Sequence, residues 1–175
     1  QRYEPDKSAE GQMPFRNEVG GFDLLSIEKS QPSHVEFLVK ERKGDRRAFG
    51  SFDLPTESGP VKNFVLLAIP PGGSVADFRI DAAERARVID GAIAKLDESY
   101  VFPETAKRMA DSVRARQKRG EYEAVTNGPT FARLLTEDFQ SVSHDRHLRV
   151  NFSPRALPQS NGAPTADQVA RMRKQ

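Results

Sequence analysis

The chain has 175 residues, 37% of them hydrophobic and 30% charged, with a formal net charge of +2. That size suits one medium domain or two small ones with modest cores, and the near-balanced charge excludes the strong basic field of a typical nucleic-acid binder. The sequence holds no cysteine, which excludes a disulfide framework, thiolate metal sites and a cysteine nucleophile.

Residues 1–14 are polar and interrupted by Pro5, Gly11 and Pro14, so a poorly ordered lead-in is expected there. The opening residue, Gln1, reads as a processed or cut end lying past any signal peptide. A β-rich unit is expected over residues 15–70. It begins after Gly20-Gly21 with Phe22 to Ile27. Val35, Phe37 and Val39 then alternate with Glu36, Leu38 and Lys40, the period-two pattern of a half-buried strand. His34, at the strand start, reads as a surface residue. Lys43-Gly44-Asp45 is a turn, Phe49 to Leu54 resumes the strand pattern, and Pro55 to Pro60 is a loop. Phe64 to Ile69 is the last strand; this longest apolar run is far too short for a membrane span. Short loops between successive strands favour an antiparallel meander.

Pro70-Pro71-Gly72-Gly73-Ser74 marks a linker, and the boundary is placed over residues 71–79. The periodicity then changes to helical, over residues 80–153. Asp81 and Glu84 are spaced as a capping box. Ala86, Ile89, Ile93, Leu96 and Tyr100 form an apolar stripe. Pro103 suits the first turn of a second helix with Ala106, Met109, Ala110 and Val113 inward, and Gly120 suits its stop. Arg114, Arg116, Lys118 and Arg119 close this helix, where cations complement its dipole; they read as a solvated helix end rather than a phosphate-binding patch. Pro129 opens a third helix with Phe131, Leu134, Leu135, Asp138, Phe139 and Val142 along its inner side. Leu148, Val150 and Phe152 alternate as a strand. Residues 154–175 read as a linker and the start of a further element, with Thr165 and Gln168 able to cap it. The expected fold is therefore α+β: an antiparallel β-meander followed by a small three-helix bundle.

One cluster concentrates chemical groups, Ser141-Val142-Ser143-His144-Asp145-Arg146-His147. Its spacing fits neither a helical nor a finger-like metal site for His144, Asp145 and His147, and no G-x-S-x-G places a serine on a nucleophile turn. Local capping of the chain reversal by Ser143 and Asp145 is the simpler role for those two residues. Glu121, Glu123, Glu137 and Asp138 occupy positions expected to be solvated. No phosphate-binding glycine loop occurs, and neither a cofactor nor a metal is expected.

Leu96-Asp97-Glu98-Ser99-Tyr100-Val101-Phe102-Pro103, Arg119-Gly120-Glu121-Tyr122, Leu134-Leu135-Thr136-Glu137-Asp138 and Val142-Ser143-His144-Asp145-Arg146-His147-Leu148-Arg149-Val150 together resemble the N-terminal helical domain of S41-family serine peptidases. The nearest branch is the one containing interphotoreceptor retinoid-binding protein and its tricorn-like relatives. The resemblance implies an exported protein, periplasmic or secreted. It also implies a catalytic α/β domain, bearing the serine nucleophile, after this region. His147 matches the position from which some members supply a general base; other members use a Ser/Lys pair. Gly20 to Ile69 is similar to an NTF2-like segment found ahead of bacterial serine hydrolases, with that module's helical front missing and one sheet face open to a partner or a second copy.

These readings lead to an accessory N-terminal region of an S41-type serine peptidase, inactive alone, positioning substrate or the catalytic domain that follows. The alternative is a non-catalytic module binding a small hydrophobic ligand or a protein partner. Its partners would then be the downstream domain, a peptide substrate or a second copy joined through the sheet, and not nucleic acid.

Overall fold

A computed structural model describes residues 13–55 and 59–155. Four strands run β1 (Phe22–Gln31), β2 (His34–Glu41), β3 (Arg47–Asp53) and β4 (Lys62–Ala68). They pair in that order, each antiparallel to the next, so the chain forms the expected meander. β1 is longer than its apolar pattern and carries two irregularities in its pairing with β2, at Leu24/Ser26 and Ile27/Lys29. Such bulges bend and twist an edge strand.

The sequence places a lead-in over residues 1–14, of which 1–12 lie outside the described residues. Residues 13–19 form a helix, α1, in place of the end of that lead-in; Pro14 does not prevent it, since proline is tolerated in a first helical turn. α1 ends at Gly20, whose φ of 72° is a left-handed conformation that glycine adopts without strain. Val19 is buried, and its carbonyl accepts from the backbone N–H groups of Arg42 and Lys43 at 3.1 and 3.0 Å. α1 is thereby tied to the β2–β3 turn, on the sheet face that also carries Phe37, Phe52 and Phe64. Gly50 matters to that face, since a Cβ there would strike the Phe37 ring.

After β4 the chain turns through Pro70–Gly73 into a short 3-10 helix, Val75–Phe78, capped by Ser74. Helices α2 (Ala82–Ser99), α3 (Pro103–Lys118) and α4 (Gly128–Ser143) follow. Their ends match local sequence signals. Asp81 accepts from the Glu84 backbone and Glu84 answers with its side chain. Pro103 occupies the first turn of α3. Gly120, at φ 76°, follows its last residues. The basic run at the end of α3 is used in pairs: Arg114 with Asp90, Arg116 with Glu121 and Asp138, and Arg119 with Glu121.

Two apolar cores result. Ile89, Leu96, Met109, Val113, Phe131, Leu135 and Phe139 join α2, α3 and α4. Phe49, Ile69 and Phe78 form a smaller core between the sheet and the 3-10 helix. Phe49 and Phe78 stack with centroids 5.0 Å apart, and Phe152 continues the stack at 5.6 Å from Phe78. The strand expected over Leu148, Val150 and Phe152 does not form; this extended stretch pairs with no strand. It lies along α4 instead. Thr136 Oγ1 donates to Ala132 O of its own helix and accepts from Val150 N–H, both at 2.8 Å, and the Phe152 ring covers Gly128 so closely that any Cβ there would collide with it. Alternation marks an extended chain, and side chains of α4 take up its backbone groups, Thr136 at Val150 and Gln140 at Leu148, in place of a neighbouring strand. The further element expected around Thr165 lies outside the described residues. Among the described residues no helix is long and apolar enough to cross a membrane.

Candidate functional site

The cluster singled out by sequence sits where α4 ends. His144 takes a left-handed conformation, φ 58°, and caps the helix by donating its backbone N–H to Gln140 O at 2.8 Å. Ser143 Oγ then accepts from Asp145 N–H at 3.1 Å, and Asp145 Oδ1 accepts from His147 N–H at 2.8 Å. Gln140 Nε2 closes the turn by donating to Leu148 O at 2.9 Å. Ser143 and Asp145 therefore do the local capping expected of them. The backbone of His147 belongs to this turn, while its side chain is exposed and takes no hydrogen bond among the described residues. No group of three or more His, Cys, Asp or Glu among the described residues is placed to hold a metal ion. Ser141 Oγ donates to the Asp138 carbonyl at 2.7 Å, so it faces its own helix and not an imidazole.

A second site, which sequence reasoning missed, lies between the sheet and the start of α4. Glu36 on β2 is wholly buried. Asn127 Nδ2 donates to its Oε1 at 2.6 Å, and Arg79 donates to its Oε2. Asn127 also caps α4, its Oδ1 accepting from Thr130 N–H at 2.8 Å. One asparagine thus starts the helix and ties it to the sheet. His34, two residues before Glu36 and on the same face, is mostly covered and not the surface residue expected; its side chain keeps 14% exposure. Its Nδ1 lies 2.6 Å from Asp53 Oδ1 on β3. Its Nε2 lies 3.4 Å from Glu36 Oε1, is sealed from solvent and is too poorly aligned for a hydrogen bond. Asp53 is held further by Asn63 at 2.7 Å and by Arg133 of α4 at 3.2 Å. Lys29 on β1 adds a link, donating to Ala124 O and Thr126 Oγ1. Lys29, His34, Glu36, Asp53, Asn127 and Arg133 border a cavity of about 330 Å³.

The electrostatics follow from these contacts. Burial alone would push the Glu36 carboxyl up, but the charge of His34, the Asn127 amide and Arg79 together hold it below the ordinary range. Burial likewise opposes ionisation of Asp53, and Asn63, His34 and Arg133 outweigh it. Glu36 beside Nε2 and Asp53 at Nδ1 hold the His34 imidazole above its usual value against the cost of burial. The signal for this site was present in β2. His34 and Glu36 are two apart, hence on one face, and only the assumption that the apolar Val35, Phe37 and Val39 side is the inner one concealed it.

A third group is enclosed within the helices. Asp138, expected to be solvated, is 3% exposed. Tyr122 donates to it at 2.5 Å and Arg116 pairs with its other oxygen. Here burial prevails and the Asp138 carboxyl is raised, with Glu121 and Glu137 adding like charge. Burial beside this carboxylate raises the Tyr122 hydroxyl as well.

Residues 77–175 match the family described as the N-terminal domain of Peptidase_S41 in eukaryotic IRBP. No curated protein and no solved structure matches the chain.

Proposed function

Because this chain belongs to the family of S41 peptidase N-terminal domains, we propose that it is an accessory region that seats and orients the catalytic domain, and the peptide substrate reaching it, in an exported S41-type serine peptidase. The family match over residues 77–175 carries this reading. Two units are part of it: a sheet unit over residues 15–70 and a helical unit over residues 80–153. The exposed imidazole of His147 beyond the end of α4 makes it the residue to act as general base toward a serine on the following domain. A base without its nucleophile performs no acyl transfer, so the chain alone is inactive.

The test is peptide hydrolysis by the isolated chain and by a form extended through a catalytic domain. The isolated chain gives no turnover above controls, and the extended form turns over. In the extended form His147→Ala lowers kcat by roughly 10²–10⁴-fold, the range for losing a general base, with the melting temperature unchanged. Turnover by the isolated chain would sink the accessory role; unchanged kcat in the extended variant would remove His147 from it.

A second reading, a module that binds a small hydrophobic ligand, is favoured by one observation. A groove of about 700 Å³ opens between α1 and the sheet, lined by Met13, Phe15, Val19, Phe22, Phe64 and Leu66, a size and lining typical of small-molecule sites. Titration with an environment-sensitive apolar dye separates the readings: saturable binding lost in Phe64→Asp supports this one. A second copy joined through the same face would appear as a dimer in sedimentation.

A further inference from the structure

We propose that His34 is a protonation-gated clasp within the sheet, holding together the two carboxylates, Glu36 and Asp53, to which Asn127 and Arg133 of the α4 region are bonded; it is closed while the ring is an imidazolium and opened when the ring loses its proton. The geometry admits no satisfactory neutral form. A neutral imidazole has one N–H and one lone pair. If Nδ1 carries the proton, it serves Asp53 at 2.6 Å and the Nε2 lone pair is left facing Glu36 Oε1 at 3.4 Å. If Nε2 carries it, the Nδ1 lone pair faces Asp53 Oδ1 at 2.6 Å, a repulsive contact between acceptors. Water cannot rescue Nε2, which is sealed from solvent. Only the doubly protonated ring donates to Asp53 and at the same time sets a positive charge, not a lone pair, 3.4 Å from Glu36 Oε1.

The surrounding charges fit this assignment. Glu36 shares the strand of His34, and Asp53 comes from β3. Arg79, after the 3-10 helix, pairs with Glu36 and lies 3.8 Å from Glu28 of β1. Arg133 of α4 pairs with Asp53 and with Glu137. The Lys29 ammonium of β1 is taken up by Ala124 and Thr126. Each arginine is thus shared with a second carboxylate outside the cluster, and His34 is the cation held between Glu36 and Asp53. Loss of its proton leaves a lone pair against a buried carboxylate, and the cavity of about 330 Å³ that the ring already lines gives it room to leave. Glu36 is bonded to Asn127, and Asn127 caps α4, so release of the ring loosens the start of α4. The ring's affinity for its proton is raised by the same two carboxylates. The clasp therefore contributes its full stability below the ordinary imidazole value and loses it as pH rises through the higher folded value.

The experiment follows the three imidazole resonances of the unmodified chain by NMR from weakly acidic to alkaline pH, assigned with His144→Gln and His147→Gln. Amide exchange is measured in parallel at Thr130 and Leu54, with the intrinsic pH dependence of exchange divided out. His34 titrates above about 6.5, the ordinary value. The opening equilibrium at both amides rises over the same pH interval, by about tenfold for each unit by which the folded value exceeds the ordinary one. Asp53→Asn, which keeps an acceptor and removes the charge, brings the His34 titration down. Titration of His34 at or below the ordinary value would overturn the clasp. So would opening that stays flat with pH, or a titration unmoved by Asp53→Asn.

Discussion

Glu36 and Asp138 are the two most deeply buried carboxylates of the described residues, yet they end up shifted in opposite directions. Glu36 is held below the ordinary carboxylate range and Asp138 above it. The difference lies in the company each keeps. Glu36 joins two layers and is met by Asn127, Arg79 and the His34 ring. Asp138 lies within the helical layer, with Tyr122 and Arg116 as donors and with Glu121 and Glu137 nearby. Loss of water costs both groups, and the outcome is decided by how many donors and cations replace it. The carboxylate that holds the sheet to α4 is thus helped to ionise, whereas the one inside the helices gives up its proton less readily than an ordinary carboxyl.

The largest effect expected from this contrast is at Glu36. Glu36→Ala leaves Arg79 and Asn127 without their shared acceptor, removes the charge beside His34 and costs about 3 kcal/mol, in the range for breaking a buried pair by removing one member. Urea denaturation at neutral pH checks this, and a loss under about 0.5 kcal/mol would show that the junction does not depend on its carboxylate. The sign with pH is equally definite. A lowered folded value means that the Glu36 contribution is present above the ordinary carboxyl value and fades as pH falls through the folded one.

Asp138→Asn is expected to be far milder, within about 1 kcal/mol of the parent at neutral pH, because the amide oxygen still accepts from Tyr122 and no charge is buried. Its pH behaviour has the opposite sign. With a raised folded value, ionisation of Asp138 erodes stability as pH rises from the ordinary carboxyl value through the folded one. Asp138→Asn removes that erosion, so the parent and variant stability curves converge toward low pH and separate, in favour of the variant, as pH rises through this window. Curves that separate in the parent's favour would mean that the Arg116 pair outweighs burial.

The smallest effect is expected at His147. The turn after α4 is held by the His147 backbone and the Asp145 carboxylate, so His147→Ala shifts stability by no more than about 0.5 kcal/mol. Asp145→Ala, which removes the acceptor, costs more, about 1 kcal/mol. If thermal melts reverse that order, the imidazole and not the backbone secures the turn.

Local signals were the legible part of this chain. Asp81 with Glu84, Pro103, and Gly120 mark helix ends because a cap, a proline ring or a left-handed residue acts on its own neighbours within one turn. The stripe through Ile89 and Leu96 and the inward Leu135 were legible for a similar reason: helical spacing alone puts apolar residues on one side, and that side is the core. The capping by Ser143 and Asp145 is local in the same sense.

What the chain could not express locally was the choice between two faces of a strand. The alternation in β2 fixes which residues share a face, and the arrival of α4 and the 3-10 helix decides which face is covered. Asn127 is distant from Glu36 in sequence, and their bond at 2.6 Å exists because the meander and the helices are laid against each other. The same holds for Leu148 to Phe152, extended by their alternation but assigned to α4 and to the Phe49–Phe78 stack by packing. Periodicity and capping act over a few residues and can be read from them. The partner of a buried charge is chosen by the whole chain, since its energy depends on every donor and cation that folding brings within reach.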